Sequence, residues 1–174
     1  FFYIGDFGFA QAQLDVLKGS TEKLISNDAM YLSLLITDNL ALDSNPVPLM
    51  MFARADLLAF QNKIEPAMNV LDSISKDFSQ HTIVDDVLFK RYQIRMKEGR
   101  YADAAAYLNE INEKFGDDVL GDDAAFRLAE LYDYYLNDKA KAKTFYEQVL
   151  TNYPGSLFVV DARKRFRTLR GDKL

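Results

Sequence analysis

The chain has 174 residues, 49% of them apolar and 27% charged, which excludes a disordered segment and predicts a folded domain. Its net charge of −5 disfavours nucleic acid as a partner, because binding to a polyanion requires a basic surface. The absence of cysteine excludes disulfides and thiol chemistry, and no apolar run approaches the roughly 20 residues that span a bilayer, so no transmembrane segment is expected.

Residues 1–19 have the pattern of the second half of a helical hairpin. Gly5 marks a turn, and Ala10 and Leu14 then lie four residues apart, as on one face of a helix. Only residues 1–4 precede the turn. We therefore expect a partial repeat here, in a C-terminal fragment of a longer array. A second copy of the chain is one way to cover its open apolar face, which would give a homodimer.

Residues 20–45 do not align with any other part of the chain, so we expect an irregular helical segment. Asn27 or Asp28 is the predicted N-cap of its helix, because both side chains can accept a hydrogen bond from a backbone amide. At the end of the segment, Asn45 precedes Pro46, which is typical of an N-cap followed by the first turn of the next helix.

Three later segments align with one another, at residues 46–79, 81–116 and 118–154. The period is 37 residues, and it becomes 38 in the second half of the third segment, whose turn holds one extra residue. The columns that recur are a first-helix phenylalanine, a second-helix alanine and a closing aromatic: Phe52, Phe89, Phe126; Ala67, Ala104, Ala142; Phe78, Phe115, Tyr153. Apolar residues within each segment follow helical spacing, so each segment is predicted to be a helical hairpin.

The starts of these helices carry polar residues that invite a chemical interpretation. His81 is the only histidine and has no nucleophile to serve, so we interpret it as a loop or capping residue. Thr82 and Asp85 have the spacing of a capping box. Acidic pairs near helix starts are interpreted as stabilising the helix dipole, with a calcium site as the alternative, although the spacing of a calcium-binding loop is missing. These pairs are Asp85–Asp86, Asp117–Asp118 and Asp122–Asp123.

Residues 156–170 continue the register as a first helix without a partner, and we expect them to form a capping helix. Phe158, Ala162 and Phe166 lie on one face, which predicts packing against the last hairpin. The other face is basic and suits the solvent-exposed end of a repeat array. A contact with anionic lipid or an acidic partner is the alternative.

The three hairpins resemble tetratricopeptide repeats. Ala55 and Ala129 occupy the small position of the first helix in that pattern, and Pro154 occupies the closing position. Tyr92 departs from the pattern, since it stands where a small residue is expected, so the middle hairpin should be packed differently. The resemblance implies an all-α fold, a right-handed α-solenoid forming a single domain over residues 1–174 with a C-terminal capping helix.

In proteins of this kind, the first helices line a concave groove that binds peptides, and the resemblance implies which side chains face it. The candidate groove residues are Phe52, Asp56, Phe89, Gln93, Lys97, Phe126, Glu130 and Tyr134. For the three phenylalanines the alternative is packing between repeats, because aromatic residues at helical spacing usually belong to the core.

The function implied is a non-enzymatic scaffold that binds a peptide or protein segment, without metal or cofactor. No paired carboxylates with a base and a nucleophile support an enzyme. One alternative is a structural or oligomerisation module that only terminates a longer solenoid, and another is a metal- or ligand-binding sensor. The long repeats are similar in style to bacterial cell-envelope proteins, including outer-membrane assembly lipoproteins, which suggests that location and leaves the cytoplasm open.

Overall fold

A computed structural model describes residues 1–41 and 45–172, so residues 42–44 of the predicted irregular segment lie outside the described part. Within these ranges the chain is all-α, as predicted, with helices that pack on their neighbours and no strand. The α-helices are α1 (Phe7–Leu17), α2 (Lys23–Ala41), α3 (Val47–Phe60), α4 (Ile64–Asp77), α5 (Ile83–Lys97), α6 (Tyr101–Lys114), α7 (Gly121–Glu130), α8 (Lys139–Asn152) and α9 (Val159–Arg170). A 3₁₀ turn (Phe2–Ile4) precedes α1, and a π turn (Leu131–Tyr135) extends α7.

Four turns hold a residue of the same backbone conformation at the positions that the alignment of the predicted hairpins matches. Each turn holds one residue in the left-handed region, at the aligned position between a first and a second helix. These residues are Gly5 (φ 79°), Asn62 (φ 60°), Gly99 (φ 72°) and Asn137 (φ 53°). Glycine and asparagine adopt this conformation more readily than other residues, which is why they stand there. The turn before α1 therefore follows the same rule as the turns of the three later hairpins.

The chain divides into two compact units, Phe1–Val87 and Leu88–Leu174, and α5 begins in the first and continues in the second. In unit 1, α3 and α4 form an antiparallel hairpin. Ala55 and Ala67 are fully buried, as are Leu71 and Ile74 of α4. The small alanines let the two helices approach closely, as the sequence predicted.

The predicted start of α2 is wrong by about one helical turn. The helix begins at Lys23, so Asn27 and Asp28 lie inside it and cap nothing. The chain before Lys23 is instead held by Ser20, whose hydroxyl oxygen accepts a hydrogen bond from the Glu22 amide at 3.2 Å. Lys23 and Leu24, which have good helix propensity, follow at once and begin the helix.

Two residues that were predicted to cap helices accept backbone hydrogen bonds at the helix starts, although the N-cap position of α3 is occupied by Pro46 and not by Asn45. The side-chain oxygen of Asn45 accepts from the Val47 amide at 3.1 Å, at the start of α3. The Nδ1 atom of His81 accepts from the Ile83 amide at 3.1 Å, at the start of α5. Each bond satisfies a backbone donor that the helix itself leaves without an acceptor.

The predicted capping box of Thr82 and Asp85 is wrong, because both side chains have other partners. The hydroxyl of Thr82 donates to the Asn39 side-chain oxygen at 2.9 Å, and Asp85 accepts from the Asp86 amide at 2.8 Å. The Asn39 amide in turn donates to Asp86 at 2.8 Å. This buried polar cluster fastens α2 to the first turn of α5 within unit 1.

In unit 2, α9 packs on the α7–α8 hairpin through aromatic side chains. The ring of Phe126 stacks on Phe158, with centroids 4.5 Å apart, and meets Tyr146 edge to face at 5.9 Å. Ala162 is fully buried against the same cluster, and Phe166 packs beside it. The expected packing of the capping helix through its apolar face is therefore confirmed.

Candidate functional site

A pocket of about 220 Å³ opens in unit 2 beside the first helices of two consecutive hairpins. Its lining combines three tyrosines, two aliphatic side chains and one pair of opposite charges. The lining residues are Tyr92, Met96, Arg127, Glu130, Leu131, Tyr134 and Tyr135.

Helical spacing and one irregular turn bring these side chains together. Tyr92 and Met96 lie four residues apart on α5, so both face the pocket. The π turn forms the other side of the pocket. In this turn the Leu136 N–H donates to the Leu131 carbonyl oxygen at 2.9 Å, and the wider loop accommodates the extra residue found in the alignment. The wider turn places Tyr134 and Tyr135, although adjacent in sequence, both in the lining. Such π turns are frequent at functional sites.

Tyr92, which lines the pocket, is also the residue that departs from the repeat pattern, where a small residue is expected. The aligned positions in the neighbouring hairpins are Ala55 and Ala129, which are fully buried. Tyr92 is too large for that role and is only half-buried; its ring packs on Phe89, with centroids 5.2 Å apart. Burial raises the pKa of its hydroxyl, so the side chain is neutral at physiological pH.

The charged residues of the lining neutralise each other. Arg127 donates to Glu130 at 2.7 Å, one helical turn further along α7. The guanidinium also lies 5.4 Å from the centroid of the Phe158 ring. Burial alone would lower the pKa of Arg127, but the hydrogen bond to Glu130 outweighs it and raises that pKa. The pocket therefore holds a stable ion pair and no net charge from its lining.

A buried carboxylate anchors the π turn from behind. Asp133 is 1% exposed and accepts hydrogen bonds from Arg165 of α9 at 2.6 and 2.9 Å. It also accepts from Lys139 at 2.8 Å and from the Tyr146 hydroxyl at 3.3 Å. Burial opposes its ionisation, yet these hydrogen bonds prevail and lower the pKa of Asp133. The carboxylate thus ties the π turn to α8 and α9.

The two exposed tyrosines of the lining are held by neighbours outside the pocket. The Arg165 guanidinium lies 5.0 Å from the centroid of the Tyr134 ring. The ring of Tyr135 packs on Tyr101 of α6, with centroids 4.6 Å apart. Since Arg165 also binds Asp133, the same side chain supports the π turn and one wall of the pocket.

The structure brings two of the predicted groove residues, Glu130 and Tyr134, into this pocket. Gln93 and Lys97 lie on α5, each next in sequence to a lining residue, but they do not line the pocket. Asp56 lies in unit 1 and accepts a hydrogen bond from the Tyr3 hydroxyl at 2.9 Å. Two of the eight predicted groove residues line this pocket, and five of its seven lining side chains were not among the predicted residues.

The three predicted groove phenylalanines are buried. The exposed fractions of Phe52, Phe89 and Phe126 are 1%, 7% and 6%. Their side chains therefore offer almost no surface to a ligand, which agrees with the alternative that they pack in the core. The candidate site does not include them. Phe89 still shapes the pocket indirectly, because Tyr92 packs against its ring.

One of the acidic pairs, Asp122–Asp123, makes a hydrogen bond within its own helix. The Asp122 side chain accepts a hydrogen bond from the Asp123 amide at 2.8 Å in the first turn of α7. Burial, together with the charge of Asp122, raises the pKa of Asp123 to about 6. Within residues 1–41 and 45–172, no three histidine or carboxylate side chains gather as metal ligands.

Comparison with known proteins supports the class of fold that the hairpins define, a helical-repeat protein. Residues 123–156 match the family model described as tetratricopeptide repeat. The match covers most of α7, the π turn and α8, which is less than half of the chain, and it includes most of the pocket lining. The resemblance drawn from the sequence is thus confirmed: this all-helical chain carries a tetratricopeptide repeat. No curated protein gives a significant match.

Nothing in the described part of the chain has the length and apolar character of a membrane-crossing helix.

Proposed function

We propose that this protein is a non-enzymatic scaffold that holds a segment of a partner protein at the pocket between α5 and α7. A tetratricopeptide repeat favours protein–protein interaction as the general role. The observation that carries the specific proposal is the pocket itself, which lies on consecutive first helices and includes Glu130 and Tyr134.

The chemistry of the lining suits a protein ligand. Tyr134 and Tyr135 are 57% and 50% exposed, so a ligand can remove a large aromatic area from water. Removal of apolar surface from water contributes about 25 cal/mol per Å², against which the entropic costs of association count. Tyrosine and arginine are also enriched among the residues that dominate binding at protein interfaces, and methionine adapts its shape to a ligand.

A display library of random peptides tests the proposal, because selection from it assumes nothing about the partner's sequence. The chain and a pocket variant, Met96→Lys with Tyr134→Ala, serve as parallel baits. The matched control is Val160→Lys with Leu157→Ala, which makes the same kinds of change at exposed apolar residues of unit 2 outside the pocket lining. Circular dichroism checks that all three proteins are folded.

We expect peptides that bind the chain and the control variant and that bind the pocket variant at least about tenfold more weakly, a difference of about 1.4 kcal/mol. Peptides that bind all three proteins equally would contradict a role for the pocket. A library that yields no specific binder would contradict the proposal as a whole.

An oligomerisation module is the second candidate, and the surface of α1 favours it. Phe9 and Val16 lie on one face of this helix and are exposed. Their aligned positions on α6 are Asp103 and Glu110, which are polar. An exposed apolar stripe on one helix, where the equivalent helix is polar, is typical of an interface. The occupant we propose is a second copy of the chain, in a symmetric dimer.

A further inference from the structure

We infer that the pocket of unit 2 selects an uncharged aromatic side chain as the anchor of the bound segment. The inference rests on the proposed function and adds the chemical class of the ligand. The volume of the pocket, the pairing of its charges and the kinds of side chain in its walls each support it.

The volume of the pocket suits a ring. At about 220 Å³ it exceeds the engineered cavity of about 150 Å³ that binds benzene in another protein. The space is therefore large enough for an aromatic side chain. A valine or leucine side chain would leave part of the space unfilled and would lose dispersion contacts with the lining.

The two charges of the lining are already paired with each other, so a charged ligand would have to compete for them. The Glu130 carboxylate already accepts from Arg127 at 2.7 Å. The Tyr134 ring, a surface on which a cation could lie, already carries the Arg165 guanidinium at 5.0 Å. A lysine or glutamate side chain would lose hydration on entry and would have to compete with these internal pairs.

The walls provide the contacts that an aromatic ring prefers. Tyr92, Tyr134 and Tyr135 offer faces and edges for offset or edge-to-face contacts, which add to the gain from burial alone. The thioether of Met96 offers a further favourable contact with a ring. The tyrosine hydroxyls at the same site can pair with a polar atom such as an indole N–H.

Small blocked amino acids test the anchor apart from any peptide backbone recognition. N-acetyl-tryptophanamide, N-acetyl-leucinamide and N-acetyl-lysinamide are titrated at millimolar concentrations, and binding is followed by saturation-transfer NMR. We expect the tryptophan probe to bind about tenfold more tightly than the lysine probe, with leucine in between. The Met96→Lys, Tyr134→Ala variant should lose the tryptophan signal, and the Val160→Lys, Leu157→Ala variant should keep it.

Two results would overturn the inference: a lysine probe that binds as tightly as the tryptophan probe, or tryptophan binding that the pocket variant retains. The failure of this inference is distinct from the failure of the proposed function. Pocket-dependent peptides that lack an aromatic residue would leave the scaffold standing and remove the aromatic anchor. If the pocket binds the tryptophan probe but the library yields no peptide, the pocket's preference for an aromatic group would stand and the scaffold function would be removed.

Discussion

The α1 helix of unit 1 and the α6 helix of unit 2, each with the turn before it, share a backbone conformation and differ in their exposed surfaces. Gly5 and Gly99 occupy the same left-handed position in their turns. Ala10 and Ala104 follow them at the same distance, and both are buried. The repeat therefore specifies the turn and the inner face in both regions.

The outer faces of the two helices are not specified by the repeat. Val16 on α1 is 75% exposed, whereas the aligned residue on α6 is Glu110. Unit 2 also contains the pocket, at a position where Tyr92 replaces the small residue of the pattern. The difference teaches that recurring residues build the hairpins, while the residues that break the pattern create the surfaces available for binding.

The largest expected difference in the free energy of unfolding is between alanine substitutions at two glycines, one in each unit. A Cβ atom on Gly121, at the start of α7, would lie 2.0 Å from the Gly116 carbonyl oxygen, whereas a Cβ atom on Gly8 of α1 would have no neighbour within 4 Å. We expect Gly121→Ala to reduce the free energy of unfolding by at least about 2 kcal/mol. Gly8→Ala should raise it by about 0.5–1 kcal/mol. Urea denaturation measures both, and equal effects would contradict this packing.

The second effect compares a buried carboxylate with an exposed one. Asp133→Ala removes the acceptor shared by Lys139 and Arg165, and we expect a loss of about 2 kcal/mol in the free energy of unfolding at pH 7. Asp103→Ala removes only the exposed pair with Arg100 and should change it by less than about 0.5 kcal/mol. Urea denaturation of the two variants beside the wild type is the measurement, and equal losses would contradict the anchoring role of Asp133.

The same cluster predicts a dependence on pH. Because the pKa of Asp133 is lowered in the fold, its stabilising contribution is present above the ordinary value of 3.8 and is lost as the pH falls through the folded pKa. Wild type and Asp133→Ala should therefore converge in stability in strong acid. A difference that stays constant down to about pH 2 would contradict the role of the ionised carboxylate.

The third effect has the opposite sign and concerns Asp123. Its pKa is raised from 3.8 to about 6, so the folded state binds a proton more tightly than the unfolded state does. Its contribution makes stability fall as the pH rises from about 4 to about 6 and remain level above that. Asp123→Asn should stabilise the protein at pH 7 by about 1–2 kcal/mol and have little effect at about pH 3.5. Thermal denaturation across this range is the measurement, with exposed Asp118→Asn as the control.

The smallest effect on stability is expected for a substitution that places a residue of unit 2 at the aligned position of unit 1. Val16→Glu gives α1 the residue that α6 carries at the aligned position, and we expect a change below about 0.5 kcal/mol. If α1 is a dimer interface, light scattering after size exclusion will show a dimer for the chain and a monomer for the variant. A chain that is already monomeric at high concentration would remove the oligomerisation candidate.

Much of the fold follows from local patterns in the sequence. Helical spacing, buried alanines and turn residues act over a few neighbours, so they locate the three hairpins and the left-handed residues Asn62, Gly99 and Asn137. The extra residue of the third hairpin is also visible in the alignment, and it becomes the π turn. The predicted start of α2 and one predicted capping box are wrong, because several polar residues near each helix start could have accepted the backbone hydrogen bond.

The candidate site was less accessible to sequence reasoning because its contacts are not local. Asp133 and Arg165 are 32 residues apart, so nothing in either neighbourhood shows that they meet. Tyr92 departs from the repeat pattern, but the space beside it depends on the residues of α7 and the π turn. Sequence periodicity assigns a phenylalanine to a helix face but does not show whether another helix covers that face. Phe52 was therefore a candidate for the groove, although the structure buries it.

The most direct measurement is isothermal titration of one library-selected peptide into the chain, the pocket variant (Met96→Lys, Tyr134→Ala) and the control variant (Val160→Lys, Leu157→Ala). The pocket variant should raise Kd by at least about tenfold, and the control should keep Kd within about twofold of the chain. Equal values of Kd for all three proteins would contradict the assignment of the binding site to this pocket.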